Sequence, residues 1–265
     1  MLSDLGELTD DALAGPFRVL QRRRGHRYSL DDVATAWEAA RTRPEARSYA
    51  DLGCGIGSVL LMVAYKLPRD AALAAIEAQA QSYALARENV RRNGLADRVR
   101  LVHGDLREPD LLERLGGARF ELVTGTPPYL PPAHASPSTD EQRTYARLEM
   151  RGGIEEYVRA AARILAPGGR FVVCCDARRP ERVLRAAREV GLAPARRRDV
   201  VPRAGRKGPL FTVWTLAGED VELVVEPPLV ARDEGGGRTP EAHALRRFFD
   251  LPVNEAEPPS PGARP

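Results

Sequence analysis

The sequence predicts an α/β protein built on one doubly wound, mostly parallel sheet of seven strands with an antiparallel edge. Three observations carry this. Short apolar runs alternate with helix-patterned runs over residues 48–190. The first run closes in a glycine-rich turn, Asp51-Leu52-Gly53-Cys54-Gly55-Ile56-Gly57. Acids then stand at the ends of the next two runs, Glu77 and Asp105, where open α/β sheets bind their ligands.

The elements follow in order. Residues 1–47 mix polar turns with an amphipathic stretch over 30–40, and form a leading segment packed on the core. Residues 49–54 read as the first strand and 58–67 as its helix. Residues 71–77 are the second strand, followed by a helix over 79–92 that Asn93-Gly94 stops. Residues 99–103 and 119–124 are the third and fourth strands. Residues 130–152 read as a long polar loop, and loops of that length inside a domain are usually functional. A helix over 154–165 ends at Pro167-Gly168-Gly169, and a strand over 170–176 precedes a helix over 180–190. Two β-like runs, 197–201 and 210–216, have no helix between them, which suggests the antiparallel edge. A short strand over 221–225 and a helix over 241–249 close a domain spanning 48–250. Residues 251–265, rich in Pro and Glu, are expected to be disordered.

The bulk composition narrows the function classes. With 265 residues and 43% apolar content, a proper core is expected. The net charge is +3, yet 38 of the 40 basic residues are Arg. A GC-rich genome explains that bias; phosphate contact is the functional alternative, because Arg binds phosphate oxygens bidentately. Arginines cluster over 18–27 and 196–207. Cys54, Cys174 and Cys175 lack metal-ligand spacing, so no metal is expected. Adjacent Cys174 and Cys175 face opposite sides of a strand and suit a reducing compartment. No apolar signal region or membrane-length segment is present, and a cytoplasmic protein is expected.

The glycines of the first turn let the backbone bend sharply and approach a ligand closely. Their spacing is not Gly-x-Gly-x-x-Gly and no Lys-Ser/Thr follows, so a phosphate cradle is unsupported. Asp51 suits a positively charged ligand group such as an ammonium. Glu77 suits ribose hydroxyls. Asp105, with Leu106, suits an adenine amino group. Each acid alone reads equally well as a loop acid or helix cap; their serial placement after three strands favours binding.

These residues resemble the class I S-adenosylmethionine-dependent methyltransferases. Asp51 to Gly57 is similar to that family's first motif, Glu77 to its ribose acid and Asp105-Leu106 to its adenine contact. The resemblance implies a Rossmann-like methyltransferase sheet and S-adenosylmethionine as donor. The sulfonium is already activated, which leaves the protein positioning and desolvation.

Thr126-Pro127-Pro128-Tyr129 follows the fourth strand. Prolines fix the backbone and donate no N–H, and they hold Thr126 extended. Within the superfamily, Asn-Pro-Pro-Tyr at this place marks methylation of planar amino nitrogens in adenine, cytosine or a glutamine amide. The Asn oxygen and a proline carbonyl accept the two amino hydrogens, and Tyr stacks on the flipped base or amide. Here Thr126 offers a shorter hydroxyl that is also a donor. Ser occurs at this place in some amino methyltransferases of DNA.

A closer resemblance covers residues 18–250. Residues 22–37, with Tyr28-Ser29-Leu30-Asp31-Asp32, resemble the leading segment of the bacterial tRNA-valine adenine-N6 methyltransferases, which makes Asp31 a donor-site acid. Glu141-Gln142-Arg143-Thr144-Tyr145 resembles that family's substrate-side loop. Residues 221–229, then Thr239-Pro240-Glu241 and a helix, resemble its ending. The resemblance implies a tRNA substrate. Arg143 on the loop and Arg203, Arg206 and Lys207 between the last strands are the candidate RNA contacts. Two alternatives stand beside it. The same site could methylate a protein glutamine or small molecule, or the chain could be a catalytically silent donor-binding module.

Overall fold

The computed structural model describes residues 5–131, 140–218 and 221–253. The main sheet forms from β3 (Ser48–Leu52), β4 (Ala72–Glu77), β5 (Val99–His103), β6 (Phe120–Gly125), β7 (Leu165–Asp176), β8 (Ala193–Val201), β9 (Phe211–Ala217) and β10 (Val224–Val230). Their spatial order is β10-β8-β9-β7-β6-β3-β4-β5. The order reverses between β3 and β6, so the crevice at their carboxyl ends is the natural ligand site. The doubly wound class is as expected, with eight strands rather than seven. The reversed strand, β9, lies inside the sheet, antiparallel to both β7 and β8. Parallel β10 covers β8 and becomes the edge.

Helices cover both faces. On one lie α1 (Leu30–Thr42), α2 (Ser58–Lys66) and α3 (Ala80–Arg92), whose Ala34, Leu60, Leu61 and Leu85 pack with Tyr49 and Val172. On the other lie α4 (Leu111–Arg114), α6 (Ile154–Ile164) and α7 (Pro180–Glu189), around Leu52, Phe171 and Trp214. The period of two shows in β7: Val172 and Cys174 join the first cluster, Phe171, Val173 and Cys175 the second. Each fully buried Leu or Val contributes about 1.5–3 kcal/mol.

Three elements depart from expectation. Residues 8–22 form a hairpin, β1 (Leu8–Ala14) and β2 (Phe17–Arg22), a separate two-stranded antiparallel sheet. Buried Asn89 of α3 holds it: the Leu20 amide donates to its Oδ1 (2.7 Å), while its Nδ2 donates to the carbonyls of Leu20 and Ile56 (both 2.9 Å). β7 begins at Leu165 and runs through Pro167-Gly168-Gly169, where the left-handed Gly168 (φ +70°) accommodates a register shift against β6. The expected loop over 130–152 contains a helix, α5 (Glu141–Arg147), capped by Asp140. α8 (Pro240–Phe248) closes the described chain, and most of the tail expected to be disordered lies outside the described residues. Among those residues, no helix is long and apolar enough to cross a membrane.

Candidate active site

Two adjoining cavities open at the carboxyl ends of β3–β6. The first is walled by Gly53, Gly55, Glu77, Asp105, Leu106 and Tyr157, among others. The second, of about 550 Å³, is walled by Thr126 to Tyr129 together with Arg27, Asp31, Arg143, Arg147 and Arg178. That volume falls within the range of about 300–1,000 Å³ usual for small-ligand sites. His26, Asp32, Thr126, Pro128 and Ala146 line both, so the corner after β6 stands at the junction.

The glycine turn takes its shape from left-handed residues. Gly53 (φ +60°) has Tyr157 pressed against it: a Cβ there would lie 2.1 Å from the Tyr157 hydroxyl oxygen. Gly55 (φ +57°) faces open space, with no atom within 4 Å of a Cβ, and that space is the first cavity. Gly57 (φ +86°) leaves the cavity wall and caps α2.

The three serial acids take different positions. Glu77 Oε2 accepts from the Gly55 amide (2.9 Å) and Oε1 from the Gln79 amide (2.7 Å), which points the carboxylate along the cavity wall. Burial pushes its carboxyl above the ordinary value despite both bonds. Asp105 lines the same cavity and is gripped bidentately by Arg107 (2.9 and 2.7 Å), whose hydrogen bonds hold its carboxyl low. Asp51 is only 2% exposed and does not line the cavity. Its Oδ2 accepts from the Leu60 amide in the first turn of α2 (3.1 Å) and its Oδ1 from the Thr124 hydroxyl (2.7 Å). Burial raises its pKa to about 7.

Of the two acids opening α1, Asp32 lines both cavities, whereas Asp31 lines only the second. Asp32 caps α1 by accepting from the Ser29 amide (2.8 Å). Burial, then the Asp31 charge, push its carboxyl well up. Asp31 accepts from the Tyr129 hydroxyl (3.3 Å) and from the Ser29 hydroxyl. The same hydroxyl lies 2.8 Å from Cys174 Sγ, and the Tyr129 ring stacks near Phe211 at 6.5 Å.

The sequence marks residues 141–145 as a substrate-side loop, and the structure makes them a helix over the cavities. Buried Gln142 of α5 donates from Nε2 to Ser82 Oγ (3.2 Å), and its Oε1 accepts from the His26 amide (3.2 Å) and Arg22 (3.3 Å). Arg22 also pairs with Asp140 at 2.8 Å. These bonds hold α5 across both cavities and bring Tyr145 and Arg143 to their walls. The available signal was Asp140 as an N-cap with acidic Glu141 in the first turn.

The basic candidates separate. Arg143 lines the second cavity; Arg203, Arg206 and Lys207 lie exposed in the β8–β9 turn and line neither. The front of that cluster is internal: Arg196 pairs with Glu226 (2.7 Å), Arg197 with Asp199 (3.0 Å), and buried Arg198 with Glu38 and Glu226. These guanidiniums neutralise carboxylates of the fold, so they are not free phosphate ligands.

The profile of the methyltransferase small domain matches residues 32–188. The chain belongs to that family. A release factor glutamine methyltransferase of Geobacter sulfurreducens is 36% identical over 143 residues, 51% of this chain and 48% of that one. A tRNA1(Val) (adenine(37)-N6)-methyltransferase of Tolumonas auensis is 25% identical over 236 residues, 89% of this chain and 94% of that one. The chain spans about half the length of several curated relatives that it matches. A structure from Agrobacterium tumefaciens, described as a predicted O-methyltransferase, superposes with a TM-score of 0.63 at 20% identity, over 86% of this chain and all of that one; it shares the fold. The family implies S-adenosylmethionine as methyl donor, and the first cavity fits it. Its wall joins the carboxyl groups of Asp32, Glu77 and Asp105 to a glycine turn whose open side a Cβ would fill.

Proposed function

We propose that this protein transfers a methyl group from S-adenosylmethionine to an exocyclic amino nitrogen of adenine in tRNA. The observation that carries the reading is the junction. The cavity behind Thr126-Pro127-Pro128-Tyr129 meets the donor-type cavity at Thr126, and Arg143 and Arg147 stand on its wall beside Arg27 and Arg178, which pair with Asp11 and Asp176. Guanidiniums around an aromatic-lined pocket suit a flipped nucleotide, with its base against Tyr129 and its phosphates on Arg. The match to the Tolumonas tRNA methyltransferase over nearly the whole of both chains supports the same substrate.

The donor, when bound, supplies an electrophilic methyl on sulfur. In this reading Asp32 meets the donor's ammonium, because it is a buried acid on the cavity wall. Glu77 takes ribose hydroxyls on lone pairs left after Gly55 and Gln79, since a carboxylate has about four acceptor sites. Asp51 braces the turn rather than touching the donor. The corner backbone and Thr126 orient the amino nitrogen, and α5 excludes water.

A second reading has its own observation. The Geobacter relative is named for a glutamine of a release factor, and a glutamine side chain presents the same planar amino group. Nucleoside mass spectrometry of RNA from cells with and without the gene separates the two. Loss of one N6-methyladenosine supports the tRNA reading. An unchanged nucleoside set, with a methylated glutamine lost from the proteome, replaces it with the second.

A further inference from the structure

We propose that His26 is the base that takes the acceptor's proton; the assignment rests on the methyl-transfer reading above. His26 lies in the segment between β2 and α1 and lines both cavities, beside Thr126 and Pro128. Its backbone amide donates a hydrogen bond to Gln142 Oε1 (3.2 Å). Among the described residues no hydrogen bond or ion pair engages its ring. Asp31 accepts from Tyr129, Ser29 and the Asp32 amide, and Asp32 accepts from the Ser29 amide.

The groups facing His26 are Asp31 and Asp32 from α1, Arg143 and Arg147 from α5, and the uncharged corner after β6. Burial lowers the pKa of its ring and so favours the neutral form; Asp31 works against this and the two arginines reinforce it. A neutral imidazole is the form that accepts a proton.

The corner makes such a base useful. Thr126 carries a hydroxyl that is itself a donor, so it is a weaker sink for an amino hydrogen than a carboxamide oxygen. The acceptor nitrogen uses its lone pair to form the N–C bond as the C–S bond breaks, and the sulfonium becomes a neutral thioether. One N–H pair stays on nitrogen while its proton passes to the imidazole. The second cavity then returns that proton to water.

The test uses the full chain, tritiated S-adenosylmethionine and unfractionated bacterial tRNA, with His26→Asn and His26→Ala. A positioned base contributes about 10²–10⁴-fold. Both variants are expected to lose at least 100-fold in kcat, to bind S-adenosylhomocysteine by calorimetry within threefold of wild type, and to lose the acidic limb of the pH–rate profile. Variants that keep kcat and that limb overturn the proposal. So do variants that lose S-adenosylhomocysteine binding together with rate, which marks a structural role. Wild-type protein inert on tRNA defeats the tRNA reading instead. Carbon-edited NMR of labelled histidine then decides for His26: titration below the ordinary 6.5 with a shift on adding S-adenosylhomocysteine supports it, and titration above 7 overturns it.

Discussion

Thr124 donates its hydroxyl proton to Asp51 across adjacent strands β6 and β3, at 2.7 Å, with Tyr49 at 2.6 Å on the same oxygen. All three residues are buried. The acid that opens the glycine turn is therefore tied to the strand that leads into the Pro-Pro-Tyr corner, and the two cavities share one internal brace. Burial raises Asp51 to about 7, while the Thr124 and Leu60 bonds pull the other way. A carboxyl whose folded pKa exceeds its unfolded one stabilises the fold fully below the unfolded value. That contribution is lost as pH rises through the folded value. The window runs from the ordinary 3.8 to about 7, and the loss is on the order of 4 kcal/mol. Denaturation of the donor-free protein should thus show stability slipping from pH 4 to 7, with the slope flattened in Asp51→Asn. Thr124→Val should cost about 1–3 kcal/mol, because it leaves a buried acceptor short of a donor.

Much of this architecture was legible in the sequence. The alternation of runs, the glycine turn and the acids Glu77 and Asp105 sit where their spacing puts them, because strand ends and left-handed glycines are local features. Asp51 was not legible as a brace: its partner Thr124 lies 73 residues away, and only sheet order brings β3 beside β6. The β1–β2 hairpin hid behind its charged Asp10 and Asp11, since Asn89, far along the chain, holds it. Arg198 stands in the 196–207 cluster, where phosphate contact is one open reading, and pattern alone does not reveal that Glu38 and Glu226 neutralise it.

Two glycines in one turn should respond differently. Gly55→Val places its side chain in the donor cavity and forces a β-branched residue to φ +57°. Donor affinity should fall by at least 100-fold in calorimetry, while the melting temperature drops only a few degrees. Gly53→Ala strikes the Tyr157 hydroxyl and should instead destabilise the fold by about 2 kcal/mol or more. Equal loss of donor affinity with no loss of stability at Gly53 would contradict this division.

Thr126→Asn probes the corner. An Asn at this place offers a carbonyl acceptor for an amino hydrogen, so a site performing amino-nitrogen chemistry should keep or raise its kcat. If the site is built around the hydroxyl, kcat should fall by 10-fold or more with the donor affinity unchanged. Single-turnover transfer to tRNA reads the difference directly.

The arginines decide between nucleic acid and protein as acceptor. Among the described residues no ion pair engages the side chains of Arg143 or Arg147, and both line the second cavity with Arg178, whose charge Asp176 shares at 2.9 Å. Each phosphate neutralised on a single strand releases counterions and contributes about −0.7 to the slope of log affinity against log salt. Arg143→Ala with Arg147→Ala should therefore flatten that slope for tRNA by about 1.4, and leave donor affinity within threefold because neither side chain reaches the donor cavity. Arg203→Ala, on the exposed turn away from both cavities, should change the slope by no more than about 0.7 and leave kcat intact. A slope indifferent to the α5 pair would move the substrate from RNA to protein, since a glutamine acceptor brings no phosphate for these guanidiniums to bind.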